Sequence, residues 1–198
     1  MKLSEKLILT DVDGVLLDWN FSFEMWMKAR GHIKVDSGYN LATSYDITQV
    51  NASYLSNMFC HSREISRLVP FRDAIQYVRK LHEEYGYVFQ AITAISDDER
   101  TLKNRWQNLE NLFGKGVFHG LDHVGAMADK TIALTKYKDS GCFWVEDHFN
   151  NSLVGAKLGL QSLLMDHTYN QDTSNPENIF IKRVYSWKHI YQMAHITF

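Results

Sequence analysis

Two acidic pairs carry the residue types most able to do chemistry. Asp11-Val12-Asp13 follows the apolar run Leu7-Ile8-Leu9-Thr10, and Glu146-Asp147 follows Cys142-Phe143-Trp144-Val145. In each case an apolar segment of strand length ends abruptly in carboxylates, and open α/β sheets place their ligands outside the carboxyl ends of strands. Asp11 and Asp13 are two apart, so on a continuing strand they point to one face, and Gly14 lets the chain turn away. Carboxylates crowded into one site repel unless a cation or a shared proton relieves them, and oxygen ligands of this kind suit Mg²⁺. A third apolar run, Tyr87 to Thr93, ends in a hydroxyl residue, with Ser96 shortly beyond. One chemistry uses this set economically. A carboxylate attacks phosphorus, and a second carboxylate handles the proton of the leaving alkoxide and then of water. Mg²⁺ and a lysine neutralise the phosphoryl oxygens.

The elements that must position these groups follow from the pattern of the chain. Apolar runs at 7–10, 87–93, 116–121, 142–145 and 161–165 read as strands. Helices are predicted between them, over about 74–84, 97–112, 131–138 and 150–158, from 3.6-residue apolar spacing, first-turn acids and closing glycines. Strands alternating with helices pair in parallel through right-handed crossovers, so their carboxyl ends share one edge. Asp11, Asp13, Thr93, Glu146 and Asp147 then meet at that rim. The expected fold is α/β, a Rossmann-like three-layer α/β/α parallel sheet. Residues 19–68 interrupt it with aromatics and methionines, Tyr39 among them, but no long alternation. They read as a small helical cap inserted into a core formed by 1–18 and 69–198. A loop over 168–176 and a closing helix with Trp187, Ile190, Tyr191 and Ala194 complete the chain.

Composition narrows the function. With 198 residues, 45% of them hydrophobic, and a formal charge of −2, the chain has neither a basic field for nucleic acid nor an acidic tail. Its two cysteines, Cys60 and Cys142, lie far apart and support neither a disulfide framework nor a zinc site, which suits a cytoplasmic setting. The apolar stretch after Met1–Lys6 is too short for a signal-peptide core, and no run approaches a membrane span. His119, His123, His148 and His167 match no zinc spacing.

The ordered motifs resemble those of the haloacid dehalogenase-like phosphohydrolases. Their first motif, an apolar strand into Asp-x-Asp-Gly-Val/Thr-Leu/Val, is matched by Asp11-Val12-Asp13-Gly14-Val15-Leu16. The resemblance implies that Asp11 is the nucleophile and a metal ligand. It makes Asp13 the general acid/base, with its backbone carbonyl on the metal. It places Thr93 on a phosphoryl oxygen, with Ser96 the weaker candidate. Lys130 becomes the phosphate-binding lysine, ahead of Lys136 and Lys138. Glu146-Asp147 is the family's paired acid, with Asp147 as direct ligand and Glu146 as a ligand through water or as an orienting base. Some members carry a further acid four residues on, where this chain has Asn151.

Within the superfamily the chain is similar to the 5'(3')-deoxyribonucleotidase group. Asp13-Gly14-Val15-Leu16-Leu17-Asp18 is followed by an aromatic, Pro70 opens the next helix, and Asp129-Lys130-Thr131, Tyr169-Asn170 and Ser186-Trp187 recur in place. This implies hydrolysis of nucleoside monophosphates, with cap aromatics stacked on the base. Trp19, Phe21, Phe23 and Trp26 are the local candidates, and any of them could instead be cap core. A polynucleotide 3'-phosphatase and a sugar-phosphate phosphatase of the same superfamily are alternatives, and a module that only holds a cation is a third. The expected partner is a small phosphorylated molecule, not bulk nucleic acid or a membrane.

Overall fold

Six strands pair in parallel into one sheet, and the central ones, Leu7–Thr10 and Phe143–Glu146, are buried on both faces, as parallel strands usually are. The computed structural model describes residues 6–36, 38, 40–125, 128–172 and 174–196; Tyr39 and Met1–Glu5 lie outside them. The strands are β1 (Leu7–Thr10), β2 (Val88–Ala94), β3 (Phe118–Val124), β4 (Phe143–Glu146), β5 (Gln161–Met165) and β6 (Lys182–Val184). They run parallel in the order β3-β2-β1-β4-β5-β6. The order reverses between β1 and β4, so the crevice beyond their carboxyl ends is the topological switch point where ligands bind in such sheets.

Side chains alternate across this sheet. Leu7 and Leu9 of β1 and Trp144 of β4 join one apolar cluster with Ala133 and Leu134, while Ile8, Phe143 and Val145 join a larger one. The smaller cluster lies under α6 (Thr131–Thr135) and α7 (Phe149–Lys157). The larger lies under α4 (Ala74–Tyr85), α5 (Glu99–Phe113) and α8 (Trp187–Ile196). Helices therefore cover both faces, the three-layer arrangement expected from the alternation of runs.

Residues 19–68 form α1 (Trp19–Lys28), α2 (Leu41–Ser44), α3 (Gln49–Cys60) and a 3-10 turn at Arg63–Ser66. Asp18, Asn40 and Thr48 cap these helices with side-chain oxygens on backbone N–H groups, as their residue types favour. Phe23, Trp26, Tyr45 and Phe59 pack edge to face and stacked with Trp19, and they merge with the larger sheet cluster. The strands of chain that enter and leave this segment are bonded to each other. Asp18 N–H donates to Val69 O at 2.9 Å, Phe71 N–H donates to Leu16 O at 2.9 Å, and Leu17 faces Pro70.

Three details depart from the sequence expectation. The sheet has a sixth strand, β6, where the tail reads as loop and helix, because three residues carry too little period to register. Strand β3 continues to Val124, three residues beyond the expected end. Helix α6 stops at Thr135, not near Lys138, since the chain tightens into i→i+3 turns and Asp139 takes a positive φ of 57°. Among the described residues no helix is long and apolar enough to cross a membrane.

Candidate active site

The rim beyond β1 and β4 gathers the predicted acids on different partners. Strand pairing in β1 stops at Thr10, and the next turn folds back so that Val12 O accepts from the N–H of Leu16 and Leu17, both at 2.9 Å. The period-two rule therefore does not carry through to Asp13, and the two aspartates do not share a partner. Asp11 reaches the Lys130 ammonium at 2.7 Å, whereas Asp13 is gripped by Arg105 of α5, with Nη1 on Oδ1 at 2.6 Å and Nη2 on Oδ2 at 2.9 Å.

Lys130 stands just ahead of α6, is 1% exposed, and bridges Asp11 and Glu146, the second at 2.8 Å. Its ammonium also lies 5.4 Å from the Trp144 ring centroid. The other oxygen of Glu146 accepts the backbone N–H of Asp147 at 3.1 Å and of His148 at 3.0 Å. Glu146 thus anchors the lysine and the turn after β4. Asp147 receives the Tyr169 hydroxyl on Oδ2, and its backbone carbonyl accepts from the Asn170 amide at 2.8 Å. These contacts use Asp11 Oδ1 and Asp147 Oδ2, leaving the second oxygen of each carboxylate for a ligand.

One oxygen from each of Asp11, Glu146 and Asp147 can be chosen so that all lie within 4.8 Å of one another. Burial raises the carboxyl pKa of Asp11, and the Glu146 charge adds to it against the pull of Lys130. Burial pushes Asp147 up to about 6, with Asp11 adding to the shift, and raises Glu146 in the same sense. Burial pulls the Lys130 ammonium down, but Asp11 and Glu146 outweigh it and hold it protonated. Three buried carboxyl groups thus share one ammonium, while Asp13 is matched separately by Arg105. A divalent cation with oxygen ligands fits both the donor set and that imbalance.

Thr93 lies on β2 two residues past Ala91, the partner of Thr10, and is 1% exposed. Its hydroxyl has no hydrogen-bond partner among the described residues, a costly state for a buried donor that an incoming anionic oxygen would relieve. Ser96 instead accepts the Asp98 N–H at 3.2 Å at the start of α5. Lys136 pairs with Asp122 at 3.2 Å on the outer edge of the sheet, away from the acids.

The aromatic candidates separate by position. Phe23 and Trp26 are buried in the helical segment, at 1% and 6% exposure, and Phe21 points to solvent at 50%. Trp19 is part-buried, stacks on Phe23 at 4.6 Å, and shares a hydrogen bond with the Cys60 thiol, which lies within electrostatic reach of Asp13 and Arg105. A cavity of about 200 Å³ opens beside Asp18, Phe23, Tyr45, Phe71, His167 and Tyr169.

Sequence reasoning singled out neither Arg105 nor the Tyr169–Asp147 contact. Arg105 belongs to the buried stripe Thr101, Arg105, Asn108, Leu109 and Phe113 of α5, where it is the one charged member. A charge at an apolar-face position is the signal that could have found it. Tyr169 sits in a single 3-10 turn, Thr168–Asn170, too short to give a period to read.

No family model matches the chain. It is 32% identical over 117 residues to an uncharacterised 32.4 kDa protein of Enterobacteria phage T4, covering 54% of this chain and 40% of that protein. The chain therefore spans about two-fifths of the length of the curated relative it matches. Solved structures resemble it over nearly its whole length. A haloacid dehalogenase-like family hydrolase from Streptococcus pneumoniae superposes with a TM-score of 0.65 at 17% identity, covering 98% of this chain and 99% of that one. The D,D-heptose 1,7-bisphosphate phosphatase of Burkholderia thailandensis gives 0.57 at 14% identity, with 96% and 99% covered. The L-2-haloacid dehalogenase of Xanthobacter autotrophicus with chloropropionic acid covalently bound gives 0.60 at 11% identity, with 96% and 98% covered. The architecture is thus the Rossmann-like fold of the haloacid dehalogenase-like hydrolases.

Proposed function

We propose that the chain is a Mg²⁺-dependent phosphomonoesterase working through an aspartyl-phosphate, with nucleoside monophosphates as substrates. Asp11 attacks phosphorus, and the ester P–O bond breaks. Asp13, which must enter the cycle protonated, gives that proton to the leaving oxygen and recovers one from the water that displaces phosphate from Asp11. Thr93 and Lys130 hold the phosphoryl oxygens. Asp11, Asp147 and the Asp13 carbonyl would hold Mg²⁺, with Glu146 reaching it through water or orienting its neighbours, and the ion when bound would offset the charge of the transferring group. Residues 19–68 serve as a cap, with Trp19 offering a flat face to the base of the leaving nucleoside.

The observation that supports this reading is the gathering of three buried carboxyl groups about one buried ammonium, with the partnerless buried hydroxyl of Thr93 on the neighbouring strand. A site built only to hold a cation has no use for Thr93 or for a buried lysine. Replacing Asp11 by Asn is expected to abolish phosphate release from an aryl phosphate, and undiminished turnover would refute the covalent mechanism. Phosphate release from dTMP, dUMP, a sugar phosphate and a 3'-phosphorylated oligonucleotide then separates the substrate classes. Preference for dTMP or dUMP is the expected result. The formal charge of −2 weighs against strand tracking by the oligonucleotide.

A further inference from the structure

Asp147 is held by more groups than a charge partner alone would require. Its Oδ2 is enclosed between the Tyr169 hydroxyl and the backbone of Gly14, so closely that a Cβ on Gly14 would lie 2.3 Å from Oδ2 and 3.1 Å from the Tyr169 hydroxyl. The tyrosine is itself fixed independently of Asp147. Its ring stacks on His167 at 4.6 Å, and His167 stacks on Phe71 at 4.8 Å. His167 Nε2 donates to Gly14 O at 2.7 Å. Asn170 is tied to the chain by Arg183, whose guanidinium donates to its side-chain oxygen at 2.8 Å and to its carbonyl at 2.7 Å, while also pairing with Asp166 at 3.0 Å. The loop 166–170 is therefore braced on both sides, and Tyr169 approaches Asp147 from a fixed position.

We infer that Tyr169 is a positioning residue that confines Asp147 to a single cation-facing oxygen and thereby sets the site's preference for Mg²⁺ over Ca²⁺. The inference rests on the divalent-cation reading proposed above. Mg²⁺ demands near-octahedral geometry at short distances and takes carboxylates through one oxygen, whereas Ca²⁺ accepts six to eight oxygens and readily takes a carboxylate through two. With Oδ2 occupied by the hydroxyl and walled by Gly14, Asp147 can serve only in the first manner. Removing the hydroxyl frees Oδ2 and lets the carboxylate rotate, which costs the ion needing a fixed single oxygen more than the ion able to use both.

The test is a calorimetric titration of the substrate-free chain with MgCl₂ and, separately, CaCl₂, in wild type and Tyr169→Phe. Phenylalanine keeps the ring stack on His167. Loss of an outer partner of a metal ligand typically costs about 10- to 100-fold in affinity. Mg²⁺ affinity is therefore expected to fall by roughly that factor and Ca²⁺ affinity by much less, so that relative preference for Ca²⁺ rises about tenfold or more. An unchanged ratio, whether both affinities hold or both fall together, overturns the inference. Tyr169→Leu, which removes ring and hydroxyl, is expected to reproduce the shift. If only the leucine variant shifts, the ring stack and not the hydroxyl is responsible, and the inference is wrong. Uptake of neither ion by wild type removes the cation reading itself, so the two failures are distinguishable.

Discussion

An arginine that grips both oxygens of a carboxylate fixes its direction as well as balancing its charge. Arg105 is fully buried and meets Asp13 with two parallel N–H donors. Each Asp13 oxygen keeps a lone pair that can take a proton from water or carry the proton for a leaving group, held at one angle. Lysine supplies the charge without the fork. Arg105→Lys is therefore expected to cost part of the roughly 10²- to 10⁴-fold that a positioned acid–base group contributes. The loss should fall chiefly on alkyl phosphates, and an aryl phosphate, whose leaving group needs no proton, should be spared in the phosphorylation step. Equal losses on the two esters, read from pre-steady-state phosphorylation of Asp11, would assign Arg105 a purely structural part. At this scale the sequence was informative where an acid closes an apolar run, and Asp11, Glu146 and Asp147 do come within reach of one another. Arg105 was hidden because its meaning depends on which face of α5 turns inward toward β1, a tertiary fact.

Among the elements, the turn after β1 is the most tightly specified. Gly14 has a φ of +76°, and a Cβ there would fall onto the Asp147 carboxylate. Both facts exclude a side chain there, the first by backbone strain and the second by collision. Gly14→Ala is expected to lower stability by about 1–3 kcal/mol in thermal unfolding. It should also weaken cation uptake, since Asp147 must move. A Gly14→Ala chain with unaltered melting and cation affinity would show that the turn can relax, contrary to this geometry. Strand β1 and the glycine after it were readable from an apolar run and a punctuating residue. Strand β6 was not, because Lys182–Val184 owes its place to pairing with Leu163–Met165 and not to any pattern of its own.

For the molecule as a whole, the buried acids make stability depend on pH and on cation together. Burial first, then the Asp11 charge, raises Asp147 from 3.8 to about 6. A carboxyl whose folded pKa lies above its unfolded one adds stability that is complete below the unfolded value and is lost as pH climbs through the folded one. For Asp147 that window runs from about pH 4 to about pH 6, and Asp11 and Glu146 act in the same direction. Without cation, the contribution of this site favours a higher melting temperature near pH 5 than near pH 7. Mg²⁺ must displace the protons it competes with, so its stabilising increment is expected to be larger near pH 7. Melting curves with and without MgCl₂ at the two pH values check this, and an equal increment at both would contradict it.

The bonded linkers Leu16–Asp18 and Val69–Phe71 have a consequence for how such a chain can change over generations. They bring the two ends of the helical segment together, so that 19–68 is, for the sheet, a loop already closed at its base. Doubling the length of such a loop adds only about 0.6 kcal/mol of closure entropy. Insertions and deletions on its outer side are therefore cheap, while its inner face, with Phe23, Phe59 and Ile65 in the shared apolar cluster, is held to shape. The hydrogen bonds between the linkers close the base of this segment and leave the part of the chain above it open to revision without disturbing the acids at the rim.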